Sequence, residues 1–223
     1  MKPPFYLRFG KRWFDAVFST LGLLLLSPFL LATAIAVKFD SSGPAFFKQP
    51  RIGRLGKPFL IIKFRSMKGG GEAGSKLTPA ADPRITRLGA WLRRTKIDEL
   101  PQLFNVMLGD MSLVGPRPEV SEFVSHYTKE QLAVLDARPG ITGPSANVYE
   151  EELLASQTDK ERFYINSVLP KKLQIDLHYT KNITFSGDLC TLFQTFSKLS
   201  IRVYELYRQI PHSSHAPSHN SSR

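Results

Sequence analysis

Between Ala16 and Val37 the chain carries no charged residue for 22 positions, and Pro28 stands near the middle of that run. No feature constrains the fold more, because such a stretch must be packed in protein, laid in a bilayer or removed. At about 1.5 Å per residue a straight helix of this length reaches roughly 33 Å, just enough to cross a bilayer core. Three readings follow. A secretory signal peptide fits the basic Lys2, Arg8, Lys11 and Arg12 before the run and the small residues near Ala34 and Ala36, but not a proline in the apolar core. A spanning helix tolerates proline when neighbours satisfy the freed carbonyl, yet no second apolar segment of that length is present to do so. A re-entrant hairpin breaks at Ser27 and Pro28, and each half dips to mid-bilayer and returns. Lys11 and Arg12 before the run and Lys38 after it give the positive-inside rule little asymmetry to use. On these residues alone the hairpin and the spanning helix both stay open.

The remainder is long enough for one domain with its own core. Across the whole chain, 30 Lys+Arg against 19 Asp+Glu give a net charge of +11, which suits an anionic partner: nucleic acid, anionic lipid or a phosphorylated substrate. Cys190 is the single cysteine, which excludes an internal disulfide framework and a cysteine-built zinc site.

After a turn at Asp40 to Gly43, two strands are predicted, Ala45 to Gln49 and Phe59 to Arg65, joined by PRIGRLGKP as a β-hairpin. The period of two puts Ile61, Lys63 and Arg65 on one face. Gly69 to Lys76 (GGGEAGSK) reads as a loop. Ile85, Leu88, Gly89 and Leu92 recur at helical spacing among Arg84, Arg87, Arg93 and Arg94, an amphipathic basic helix. The next helix is predicted to begin near Asp98, with Pro101 in its first turn and Leu100, Leu103, Phe104 and Met107 facing inward. A long amphipathic helix runs from Leu189 to Ile210, and the tail PHSSHAPSHNSSR lacks periodicity.

Chemistry concentrates in RRTKIDELPQLFNVMLGDMSLVGPRP, Arg93 to Pro118. Thr95 and Asp98 have the spacing of a capping box, so Asp98 and Glu99 have a purely structural explanation. Against it stand the cations Arg93, Arg94, Lys96 and Arg117. A carboxylate among cations can attack phosphorus, and such a step needs the phosphate oxygens neutralised by arginine or a divalent ion. The prolines beside Arg117 restrict its backbone and aim a guanidinium that can grip phosphate in two places.

The segments KRWFDAVFS, LSPFLLATAIAVKFDSSGPAFFKQPRIGRLGKPF, KFRSM, DPRITRLGAWLRRTKIDELPQLFNV, GDMSLVGPRPE and RPGITG together resemble the bacterial sugar transferase family, the monotopic phosphoglycosyl transferases, from about Lys11 to Lys198. The resemblance implies an α+β, mainly helical fold: a re-entrant membrane helix-break-helix over residues 1–40 broken at Ser27 and Pro28, then a catalytic domain over 41–210 with a small β-hairpin and interfacial amphipathic helices, then a disordered tail at 211–223. It implies an enzyme that moves sugar 1-phosphate from a UDP-sugar to undecaprenyl phosphate, releasing UMP, at the cytoplasmic face of the bacterial inner membrane among its lipids. Asp98 is then nucleophile and Mg2+ ligand with Glu99 as its partner, while Arg93 meets a lipid phosphate and Lys63, Arg65, Arg117 and Asp176 line the site. Many members carry an arginine soon after PGITG, whereas here none lies between Gly143 and Arg162, and Arg138 and Lys172 are the candidate replacements. The chain resembles the family's minimal form. The rival from another class is a non-catalytic basic membrane-surface protein binding anionic lipid or nucleic acid; no nucleic-acid motif supports it, and no nucleic-acid partner is expected.

Overall fold

Pro28 does not end the apolar helix. In the computed structural model, which describes residues 6–69, 82–147 and 159–208, a single helix α1 runs over Lys11–Asp40 with Pro28 inside it. Proline lacks the N–H that the Leu24 carbonyl would accept, and the neighbouring Ser27 hydroxyl donates to that same carbonyl at 2.8 Å. The expected break is therefore a compensated proline within one helix. α1 is long and apolar enough, by length and composition, to cross a membrane.

Only one stripe of α1 is covered. Asp15, Ser19, Leu23, Leu30, Thr33 and Val37 are buried, at spacings of mostly three or four residues, while Trp13, Leu24, Leu25, Leu31 and Phe39 stand exposed. Leu23, Leu30 and Val37 share a cluster with Phe64, Leu92 and Leu103, so the helix contributes to the same core as the rest of the chain. Polar straps hold both ends. Arg12 donates to the Val106 and Met107 carbonyls, each at 2.7 Å, and Asp15 Oδ1 accepts from the Leu113 N–H at 2.9 Å. At the far end Arg65 donates to the carbonyls of Val37, Ser41 and Pro44. An arginine suits these positions because the last carbonyls of a helix are unpaired and carry the negative end of its dipole.

β1 (Phe46–Ile52) and β2 (Pro58–Phe64) form the predicted hairpin, antiparallel with Gln49 opposite Ile61. β1 runs three residues beyond its predicted end, taking in Pro50, Arg51 and Ile52 and shortening the connection to Gly53–Lys57. α2 (Arg87–Arg94) starts at Thr86, whose hydroxyl accepts from the Gly89 N–H at 2.8 Å; Ile85 lies before the helix, bridged to Met67. A Cβ on Gly89 would stand 2.0 Å from the Ser66 carbonyl oxygen, so only glycine lets α2 lie this close to the chain leaving β2.

α3 (Gln102–Leu108) follows, with Leu103 and Val106 buried but Phe104 exposed. Phe104 departs from expectation because α3 packs against α1, β2 and β3 and Phe104 is left outside those contacts, 39% exposed. β3 (Ser112–Val114) pairs in parallel with β4 (Gly140–Thr142), and the short α4 (Ser121–Val124) lies between them in sequence. α5 (Lys160–Phe163), a π-turn over Tyr164–Val168 and α6 (Leu169–Lys181) make a second cluster around Val120, Phe123, Tyr164 and Leu173. α7 (Phe185–Arg208) leaves Phe193, Phe196 and Tyr204 exposed. The loop after Gly69, the end of the long helix at Ile210 and the tail 211–223 lie outside the described residues.

Candidate active site

Asp98 and Glu99 sit on a single 3-10 turn, Ile97–Glu99, and not in the first turn of an α-helix. The capping-box explanation is not realised: the Thr95 hydroxyl donates backwards, to the Trp91 and Leu92 carbonyls at 2.8 and 3.1 Å, and closes α2. Lys96 enters the turn at φ +58, a left-handed conformation uncommon for a residue with a side chain. The chain thus turns at Lys96 between α2 and α3, and both carboxylates lie on the turn that follows.

β2 delivers the opposing cation. Lys63 Nζ lies 3.1 Å from Glu99 Oε1, and Arg117 Nη2 lies 3.7 Å from the same oxygen. Asn105 sets this register: it accepts from the Ile62 N–H at 3.0 Å and donates to the Leu60 carbonyl at 2.8 Å, doing for the open edge of β2 what another strand would do. Burial works to raise the pKa of Glu99, but Lys63, then Arg117 and Lys96, outweigh it and hold Glu99 well below the ordinary range. Asp98 goes the other way, pushed up to about 6 by burial and then by the negative charge of Glu99, against the pull of Lys63, Lys96 and Arg93. Asp98 is 8% exposed and its Oδ1 has no hydrogen-bond partner. It is a carboxylate with an oxygen to spare, facing cations committed to its neighbour.

Arg117 stands on a strap without regular structure, Gly115 to Glu119, between β3 and α4. Both flanks are tied by backbone: the Gly115 N–H donates to Thr142, Gly140 to Pro116 and Ile52 to Glu119, at 2.8 to 2.9 Å. A Cβ on Gly115 would stand 2.3 Å from the Arg138 carbonyl oxygen, which leaves that position to glycine. Arg51 donates to the Pro118 carbonyl at 3.2 Å, and the Glu119 carboxylate accepts from Tyr164 at 2.6 Å and from Lys172 at 2.9 Å.

Of the residues expected at the site, Lys63, Asp98, Glu99 and Arg117 come together. Arg93, in the last turn of α2 with Nη1 3.9 Å from Met67 Sδ, is close enough for its charge to act on Asp98. Arg65 goes elsewhere, its guanidinium turned to the carbonyls that close α1. Asp176 belongs to a second group, where it accepts from the Ser145 hydroxyl at 2.9 Å and is pushed up to about 7, chiefly by burial. The two cations considered as replacements for the absent arginine have other uses: Lys172, 2% exposed, is paired with Glu119, and Arg138 donates to the Gly109 carbonyl at 3.0 Å at the end of α3. Arg51, Asn105, Glu119 and Tyr164 were not singled out by sequence reasoning. Glu119 had a signal, its place two residues after Arg117.

The donor set also fits a divalent ion bound jointly with substrate. Among the described residues no three His, Cys, Asp or Glu side chains gather as a ready-made cage. A magnesium ion typically takes one or two carboxylates plus phosphate oxygens, and Asp98 Oδ1, which has no hydrogen-bond partner, is an oxygen of the kind such an ion takes.

Comparison with known proteins adds a second line. The family model described as bacterial sugar transferase matches residues 6–202. The chain is 38% identical over 191 residues to the UDP-N-acetylgalactosamine-undecaprenyl-phosphate N-acetylgalactosaminephosphotransferase of Aeromonas hydrophila, covering 84% of this chain and 43% of that protein. It is 38% identical over 196 residues to the undecaprenyl-phosphate glucose phosphotransferase of Komagataeibacter xylinus, covering 84% and 35%. With the exopolysaccharide production protein PSS of Rhizobium leguminosarum bv. phaseoli it shares 39% over 197 residues, covering 83% and 92%. The chain therefore spans less than half the length of the first two relatives and most of the third.

Proposed function

The chain belongs to the bacterial sugar transferase family, and from that premise we propose that it transfers sugar 1-phosphate from a UDP-sugar to undecaprenyl phosphate, releasing UMP, with Asp98 as the nucleophile. The observation that carries this reading is the buried Asp98 carboxylate with an unpartnered oxygen, beside a Glu99 held ionised by Lys63 and Arg117.

In the first step Asp98 attacks the β-phosphorus of the donor. The bond from that phosphorus to the oxygen of the α-phosphate breaks, UMP leaves with the electron pair, and an acyl phosphate carrying the sugar remains. In the second step a phosphate oxygen of undecaprenyl phosphate attacks the same phosphorus, the acyl bond breaks, and Asp98 returns as carboxylate. Neither step needs a proton at neutral pH. Two successive visits spare the site from holding two anionic substrates together. In this reading Arg117 and Lys63 offset charge on the diphosphate, and Arg93 meets the lipid phosphate. Asp98 would also hold the magnesium ion, which when bound neutralises phosphate oxygens. Burial and then the charge of Glu99 push the Asp98 pKa up, so its carboxylate is more basic than an ordinary aspartate, which favours attack.

The proposed place of work is the cytoplasmic face of the bacterial inner membrane, with α1 entering from one side and not crossing. What supports this is that Arg12 and Asp15 at one end of α1 and Val37 at the other are bound to the same body, while the opposite face is apolar and exposed. The test is UMP release from a panel of UDP-sugars with undecaprenyl phosphate in detergent. Activity with one or more donors supports the reading, and salt-sensitive lipid binding without turnover on any donor would replace it with the non-catalytic alternative.

A further inference from the structure

The strap that carries Arg117 is held at its far end by charged side chains: Arg51 donates to the Pro118 carbonyl, and the Glu119 carboxylate is itself anchored. Glu119, 6% exposed, bonds to Tyr164 and Lys172, which come from the π-turn and from α6, 45 and 53 residues further along the chain. Lys172 also donates to the Tyr164 hydroxyl at 2.8 Å, so the three side chains close a ring of hydrogen bonds. Arg51 reaches the group from β1, with Nη1 3.9 Å from Glu119 Oε2. Burial works to raise the pKa of Glu119, and Lys172 overrides it.

A buried ion pair is a poor source of net stability, since apolar residues of similar volume commonly do as well or better. What it supplies is direction: each charge accepts only the geometry that satisfies the other. We propose that Glu119 is a positioning residue for the phosphoryl transfer, fixing through Tyr164 and Lys172 the path of Gly115 to Glu119 that sets Arg117 against Glu99. This rests on the function proposed above and extends it to a group that touches neither substrate nor reacting atoms. It also assigns Lys172 to the anchor in place of donor binding.

The experiment uses the full chain in detergent with the variants Glu119→Gln, Arg117→Ala and their combination. Glu119→Gln is expected to lower the rate of UMP release by about tenfold or more, and to cost less than about twofold once Arg117 is already alanine, because neighbours acting through one group are not additive. Equal fold losses in both backgrounds would mean a general structural role and would overturn the proposal. Hydrogen–deuterium exchange gives a readout independent of activity: Glu119→Gln should speed exchange at Gly115, Arg117 and Glu119 while leaving α3 unchanged. Unchanged exchange in the strap overturns the proposal even when the wild type turns over, and faster exchange there supports it even if no donor is used. Should Glu119→Gln fold poorly, adding Lys172→Met removes the stranded charge; recovered melting temperature with turnover still low is the expected result, and full recovery of both would contradict it.

Discussion

Two pairs of carboxylates in this protein are split in the same sense. In Asp98 and Glu99 one acid rises to about 6 while the other is held low, and in Asp176 and Glu119 one rises to about 7 while the other is held low. Burial raises and nearby cations depress in both places, so perturbed proton affinity does not tell the pairs apart. Access does. The Arg117 side chain beside Glu99 is 36% exposed, whereas the Lys172 side chain beside Glu119 is 2% exposed. One pair faces an arginine that a phosphate can reach, and the other faces a lysine spent on the fold. A shifted carboxylate marks a reactive centre only where its counter-charges can still be shared with a ligand.

The comparison breaks first at the nucleophile. Asp98→Asn is expected to cut UMP release by at least about 1,000-fold, while Asp176→Asn lowers it by no more than about tenfold. Equal losses in the two variants would remove the distinction between the groups. Next comes stability. Lys172→Met takes the nearest cation from the buried Glu119, leaving it the Tyr164 hydroxyl and Arg51 at 3.9 Å, and should cost about 3 kcal/mol, a fall in Tm of roughly 6 to 12 °C. Lys63→Met, whose partner Glu99 keeps Arg117 at 3.7 Å, should shift Tm less while lowering turnover more. The last contrast is in pH dependence. Folded Asp176 keeps its proton up to about 7 against a usual value of 3.8, so between these values the folded chain binds more protons than the unfolded one and stability falls as pH rises. Asp176→Asn removes that titration, so Tm plotted against pH should fall less steeply between pH 4 and 7 than in the wild type; an unchanged slope would show that Asp176 is not the titrating group.

The open pair was legible in the sequence because its parts are close together or follow a simple period. Asp98, Glu99 and Arg117 fall within 20 residues, and Lys63 projects from a strand by alternation. The closed pair was hidden because Glu119 meets Tyr164 and Lys172 only through tertiary packing, which no local pattern records. Alternation put Arg65 with Lys63, yet the unpaired carbonyls at the end of α1 were nearer at hand for its guanidinium. Ser27 and Pro28 read as a break because proline removes a donor. That a hydroxyl one residue earlier satisfies the orphaned carbonyl depends on a rotamer the sequence does not specify.

The central claim is that Asp98 takes the phosphosugar before the acceptor arrives. It is tested most directly by incubating the protein with its UDP-sugar and isotopically labelled UMP in the absence of undecaprenyl phosphate. A two-step route through Asp98 predicts that label enters the UDP-sugar in the wild type and not in Asp98→Asn. A wild type that turns over with both substrates but exchanges no label without the acceptor, or exchange that persists in Asp98→Asn, would contradict the account.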